Sequence, residues 1–291
     1  MPPPGAARVS GGRDRGLVWG RVAGEGLAYV FLLVCAVVML VPFLWMVVSS
    51  FKEQWEITAV PAIWLPHVWH LDNFAYVIRD SPLITGYKNS LIIVPIVTAV
   101  EVATSTIAGY AFAKLRFPGR DVLFVGVIST LMLPGFLIQI PLFVVMVGVG
   151  WLNTFQAMII PFLFTPFGIF LMRQFILGVP TDYIDSARID GSGEIGIIWR
   201  IVFPLTREAA AALAIFVFIN SWNDLFWPLL VLRQRTMFTL PVALFTLQGD
   251  YGTYYHYVLA GATLAVIPVV IVYVFFQEHI VRGVTLTGLK G

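Results

Sequence analysis

Few residues in this chain have types and spacings that chemistry needs. Glu101 is the single charge in the apolar run from Ser90 to Ala113, where an ionised side chain costs at least ~2.5 kcal/mol in a bilayer. Thr98, Glu101, Ser105 and Gly109 recur at helical spacing, which points the acid into a bundle and away from lipid. There it serves as a translocation-path residue or proton site, or it is a hydrogen-bonded acid that holds helices together. Asn220, Ser221, Asn223 and Asp224 form a second polar cluster, with Asp224 roughly 24 Å beyond Glu208 along a helix axis. Such amides and carboxylates hydrogen-bond the hydroxyls of a solute, or they brace the helix against neighbours; both readings stand. His67 and His70 lie in a Pro- and Trp-rich stretch without a carboxylate partner, and read as an interfacial feature. There is no Gly-Lys dipeptide for a phosphate loop, no His-Glu-x-x-His and no Gly-x-Ser-x-Gly. The chain is therefore expected to be no enzyme and to hold no metal or cofactor of its own.

The elements that must position these residues are membrane helices. Of 291 residues, 59% are hydrophobic and 12% charged, about half the charge of a soluble domain. The single cysteine, Cys35, excludes a disulfide framework, and a net charge of +2 gives no footprint for nucleic acid. A helix crosses the bilayer in about 20 apolar residues. Gly26–Phe51 and Ser90–Ala113 make two spans; the charge-free stretch from Val122 to Met172 makes two more, divided at Gly148–Asn153. A fifth runs from about Ala209 to Leu232 and a sixth from about Tyr257 to Phe276. The expected fold is an all-α integral membrane protein of six helices with both termini on one side. Pro134, Pro141, Pro161 and Pro166 would bend the third and fourth spans. Thirteen Lys and Arg fall on the terminal side and five on the other, which places the termini in the cytoplasm. The expected organisation is a flexible arm over 1–25, a membrane domain over 26–277 and a cytoplasmic tail over 278–291.

Between the fourth and fifth spans, residues 179–207 are too long for a simple connection of about 2–8 residues. Pro180 and Thr181 open a helix with Thr181 as N-cap, and Gly191 ends it in the left-handed conformation. Ser192 caps a second helix, on which Ile195, Ile198, Trp199 and Val202 make one apolar stripe, and Pro204 stops it. Ser186, Ala187, Gly191 and Ser192 leave room for another protein to approach the backbone. The plain alternative is a solvated hairpin that links two spans.

Asp185-Ser186-Ala187-x-x-Asp190-Gly191 followed by Pro204 resembles the "EAA" loop of ABC importer permeases. Asn89-Ser90-Leu91, the run from Ala108 to Arg120 and the run from Trp222 to Leu229 are similar to the carbohydrate-uptake branch. Together the likeness covers roughly residues 30–291. It implies a permease subunit of a binding-protein-dependent sugar importer in the cytoplasmic membrane. Such a subunit pairs with a second permease and two ATP-binding-cassette ATPases, which bind the ATP and Mg, and it receives solute from an extracytoplasmic substrate-binding protein. By position, Asp185, Ser186, Ala187, Asp190, Gly191, Ser192, Ile195, Trp199 and Pro204 would form the ATPase-coupling surface. Asp185 stands where Glu is usual in the family, and Ser186 and Ser192 where Ala is usual.

The C-terminal run from Val281 to Gly291 resembles the tail of the maltose-type permease partner, which reaches between the two ATPases. That implies contacts from Thr287, Gly288 and Lys290. Two alternatives remain open: a permease of the same machinery for a non-sugar solute, and an ion-coupled transporter using Glu101 and Asp224.

Overall fold

In a computed structural model of the chain, the backbone is described over residues 13–249 and 252–288, and side chains over 25–248 and 253–275. The first helix, α1, is Arg13–Ser49; it begins within the stretch assigned above to the N-terminal arm. Its apolar side chains are widely exposed, Leu27 at 73% and Met39 at 71%, as suits a helix whose solvent is lipid. The segment expected above on the outer side follows, with short helices Gln54–Thr58 and Asp72–Arg79.

The central element is α2, Leu83–Lys114. It buries Ile93, Val97, Glu101, Ser105, Gly109 and Tyr110 along one side. Thr98 does not share that side: it lies with Ala99 and Val102 around a separate, largely apolar groove. The third apolar segment is broken. Arg120–Met132, whose α-helical part α3 is Arg120–Ser129, meets α4, Gly135–Gly148, at 103°. The break falls at Pro134, the N-cap of α4, where the ring supplies no N–H to the preceding turn and steers Leu133 away from helix.

The turn after α4 confirms the division expected at Gly148–Asn153. Gly150 and Asn153 both take positive φ, and Asn153 Oδ1 accepts the backbone N–H groups of Arg233 and Gln234 at 2.9 Å each. Phe155–Ile159 then leads through a tight turn into α5, Pro166–Leu177. After the hairpin, α7 is Arg207–Asn223, followed by Phe226–Val231 and Leu240–Phe245. A two-residue ribbon pairs Gln248 with Thr253 and Gly249 with Gly252. The last helix, α8, runs Tyr255–Gly288; it reaches into the segment read as the tail.

Among the described residues, four helices are long and apolar enough to cross a membrane, and up to six if each of two bent pairs counts as one span. The second bent pair joins Glu194–Leu205 to α7 at 85°. The main core lies where α2, α5 and α7 meet, around Ile93, Val97, Met172, Ile176 and Leu213. Close helix approach is set by small residues: a Cβ on Gly109 would lie 2.9 Å from Arg173 N and from Met172 Cβ, so α2 touches the backbone of α5 there. Lipid tails are as apolar as leucine, so such backbone contact, more than burial, holds membrane helices together.

Two motifs from the sequence find structural work in this frame. Asn89 Nδ2 donates to the carbonyls of Thr236 and Phe238, and Ser90 Oγ accepts the N–H of Leu240 at 2.9 Å. The buried rings of Trp222 and Trp227 donate to the carbonyls of Ala265 and Ala157 respectively.

Candidate functional site

The hairpin starts with α6, Thr181–Ile189. Pro180, not Thr181, occupies the N-cap, because its φ of −58° and ψ of 132° already turn the chain from extended into helix. Asp182 sits in the first turn, favoured by the positive end of the helix dipole. At the far end Gly191 has φ +81°, as expected from its position. The N–H of Ser192 bonds to the carbonyl of Ala187 at 2.9 Å and that of Gly191 to Arg188 at 3.0 Å, the two closing bonds of a Schellman turn.

Ser192 closes this turn through its backbone N–H, and the N-cap of the next helix, Glu194–Ile197, is Gly193, not Ser192. The helix continues through a π-turn at Ile198–Val202 and a last turn at Phe203–Leu205. Pro204 does not stop it: proline is accepted in a first helical turn, and the break falls at Thr206. The single apolar stripe expected here is split by the π-turn. Ile197, Ile198 and Val202 are buried, whereas Ile195 is 62% and Trp199 38% exposed.

Asp185, Ser186, Asp190, Gly191 and Ser192 are exposed and share the hairpin's open surface. Ala187 departs from that set; it is buried beside Ile184 and belongs to the core. In its place the open surface carries Ile189 and Tyr183, 87% and 57% exposed. The spacing did not single them out because each is one isolated apolar residue in a polar helix.

Behind that surface lies a polar junction. Arg188 Nε donates to Glu194 Oε1 at 2.9 Å and Nη1 to Asp185 Oδ1 at 3.1 Å. The Tyr110 hydroxyl of α2 donates to Glu194 Oε2 and accepts from Arg188 Nη2. Tyr110 and Glu194 are 84 positions apart, and nothing in their local patterns joins them.

A second feature lies deeper, a cavity of about 400 Å³. Glu101, Asn220 and Asp224 line it together with Gln139, Thr165 and Thr239. Asn223 does not; its amide donates to the carbonyl of Ile219 on its own helix. Glu101 is 5% exposed and accepts a hydrogen bond from the Thr165 hydroxyl at the start of α5. Asp224 Oδ1 accepts the N–H of Trp227 at 3.3 Å. Both acids thus hold structure and face the cavity at once. Thr165 and Thr239 are N-caps of different helices and Gln139 lies inside α4, so each stands apart from any polar cluster within one span.

In the segment after α1, His67 and His70 do have carboxylate partners. His67 Nδ1 is 2.6 Å from Glu56 Oε1, and His70 Nε2 is 3.2 Å from Glu53 Oε1. The partners were hidden because the chain folds back eleven residues to bring His67 onto Glu56. Burial pushes the Glu56 carboxyl up, but the backbone N–H groups of His67 and Glu53, with the His67 ring, outweigh it and hold the group below its ordinary value. Burial lowers Lys52, opposed by attraction to Glu56; its ammonium lies 3.8 Å over the Trp45 ring. Among the described residues no group of three His, Cys, Asp or Glu is placed to hold a metal ion. Thr287 and Gly288 lie in the backbone of α8, with side chains outside the described residues, and Lys290 lies outside them altogether.

Comparison with known proteins places these features in one family. Residues 105–286 match the family model described as "Binding-protein-dependent transport system inner membrane component". The arabinooligosaccharides transport system permease protein AraQ of Halalkalibacterium halodurans is 38% identical over 88% of this chain and 93% of its own length. The trehalose/maltose transport system permease protein MalG of Thermococcus litoralis is 32% identical over 88% and 93%. Among solved structures, a chain of a bacterial ABC transporter involved in the import of the acidic polysaccharide alginate superposes with a TM-score of 0.75. It has 25% identity, covering 95% of this chain and 99% of that one. A broken apolar span, a capped hairpin and a near end-to-end match to transport permeases agree: the chain belongs to the inner membrane components of binding-protein-dependent transport systems.

Proposed function

We propose that the chain is a non-catalytic permease subunit of an ATP-driven sugar importer. It crosses the cytoplasmic membrane six times with both termini inside, pairing with a second permease and two ATPase subunits. An extracytoplasmic substrate-binding protein delivers the sugar. ATP and Mg belong to the ATPases, and this chain supplies the surface that receives their motion. Asp185, Ser186, Asp190, Gly191, Ser192, Ile195 and Trp199 form that surface, with Ile189 and Tyr183 added; Ala187 and Pro204 shape it from behind. Thr287, Gly288 and Lys290 extend the contact from the C-terminal end.

The observation that carries this reading is the hairpin itself. A Schellman turn fixes two helices so that isolated apolar side chains, Ile189 at 87% and Ile195 at 62% exposure, stand among solvated polar groups. An exposed apolar pair on a rigid polar support is the anatomy of an anchor for a protein pocket. Its relatives' names supply the solute class: arabinooligosaccharides and trehalose/maltose are both sugars.

The test is a gentle-detergent purification from the native membrane, with co-purifying proteins identified and ATP hydrolysis measured. Two ATPase copies and a second permease are expected, with hydrolysis stimulated by a binding protein. Recovery of the chain alone, still able to transport after reconstitution, would overturn the reading.

A further inference from the structure

The cavity lined by Glu101, Gln139, Thr165, Asn220, Asp224 and Thr239 gathers two of the three buried side-chain atoms that find no hydrogen-bond partner among the described residues; the third, Ser105 Oγ, lies outside it. Two of its polar atoms, Gln139 Oε1 and Thr239 Oγ1, are buried and take no hydrogen bond from the protein among the described residues. Thr239 is only 5% exposed. Leaving such atoms unpaired forfeits the hydrogen bonds they made to water, and a ligand carrying donors and acceptors restores them. Glu101, equally buried, spends Oε1 on Thr165. Phe162, Phe167 and Phe216 supply apolar wall, the last two in edge contact at 6.0 Å. A mostly apolar wall with a few convergent polar groups is the pattern of a small-ligand site, and about 400 Å³ lies at the lower end of such volumes.

The lining also has a sign. Among the described residues it holds two carboxyl groups and no Lys, Arg or His. A sugar hydroxyl is neutral and donates to a carboxyl oxygen without bringing a further charge into the cavity. A uronate would carry its charge into the cavity with no cation among the described lining residues to meet it, and an unpaired buried charge is strongly disfavoured. We infer that this cavity is a sugar subsite on the transport path that accepts uncharged sugar units and rejects acidic ones. The inference rests on the permease reading above and adds the residues and the charge class. Glu101 accepts a sugar hydroxyl, Thr239 and Gln139 pair with others, and the phenylalanines pack against the ring's C–H face.

The experiment uses the complete transporter, purified with its partners and reconstituted in vesicles with saturating binding protein. The probes are radiolabelled arabinotriose, maltotriose and trigalacturonate. At least one neutral probe should enter ten times faster than the uronate. Glu101→Gln and Thr239→Val, both close in shape to the native residues, should each cut neutral uptake about tenfold. The amount of assembled complex should stay unchanged. Thr98→Val, on the other side of the same helix, should change nothing. The same binding protein feeds every variant, so a difference among them arises in the membrane. Uronate uptake equal to neutral uptake, no uptake of any neutral probe, or Glu101 and Thr239 variants indistinguishable from wild type would each overturn the inference. Failure of the ATPases to co-purify would instead sink the permease reading.

Discussion

Gly191 is the residue on which the hairpin turns. Its φ of +81° lies where an L side chain costs about 1–2 kcal/mol, and proline, fixed near −65°, cannot adopt it. Gly191→Pro is expected to abolish uptake while leaving membrane insertion intact, measured by sugar uptake and by the amount of protein in the membrane. Gly191→Ala should give an intermediate loss; normal uptake in the proline variant would refute a coupling role. Tyr110→Phe removes one hydroxyl from the junction of α2 with Glu194 and Arg188. Hydrogen bonds to charged groups are worth about 1.5–3 kcal/mol, and Glu194 is partly solvated, so the lower end applies. The expected result is less sugar moved per ATP hydrolysed, with the complex fully assembled. Gly191 could be read from sequence because glycine after a capped helix has a local cause. Tyr110 could not, since an ion-pair network across 84 positions leaves no periodic trace.

The packing of α2 against α5 depends on atoms that are missing. Gly109→Ala would push a methyl group to 2.9 Å from the backbone of Arg173, and overpacking of this kind typically costs about 1–3 kcal/mol. The expected outcome is a lower Tm in detergent, whereas Gly126→Ala, with nothing within 4 Å, should leave Tm unaltered. The outer segment gives an element-scale prediction about pH. Glu56 is held below its ordinary value of 4.5 in the folded protein, so the folded state binds its proton less readily than the unfolded one. Its contribution is fully present above that ordinary value and is lost as pH falls through the lower folded value. Hydrogen exchange over residues 53–70 should therefore accelerate on acidification below about pH 4.5, and Glu56→Gln should abolish that added sensitivity. The elements themselves were largely legible, because long apolar runs and Gly–Asn turns have local causes. The 103° break at Pro134 and the π-turn at Ile198–Val202 were legible only as a proline and as a stripe that failed to stay single.

At the scale of the molecule, the arrangement predicts which parts face each side of the membrane. In a Cys35→Ala background, Ile189→Cys should react with a membrane-impermeant maleimide only from the cytoplasmic face. Trp64→Cys, 65% exposed in the outer segment, should react only from outside. Labelling of both from one face would refute the proposed topology. Composition made the membrane frame readable, because the bilayer imposes apolar spans on every segment alike, and the Lys/Arg asymmetry supplies the orientation that this labelling tests. The cavity was readable only in part: Glu101, Asn220 and Asp224 stood out as polar groups in apolar runs, whereas Thr165 and Thr239 are ordinary residues until folding brings them opposite the acids.

The two tryptophan anchors flank Asp224 and tie its helix at the outer end, Trp222 to α8 and Trp227 to the carbonyl of Ala157. The inner end, at Arg207, is joined to the hairpin through an 85° elbow. A rod fastened at one end and pushed at the other swings about its fastening. Asp224 therefore sits beside the fulcrum of a lever, and Asn220, one turn inward, begins the moving arm. In the proposed importer, a stroke at the elbow would become a small rotation of one cavity wall past the other.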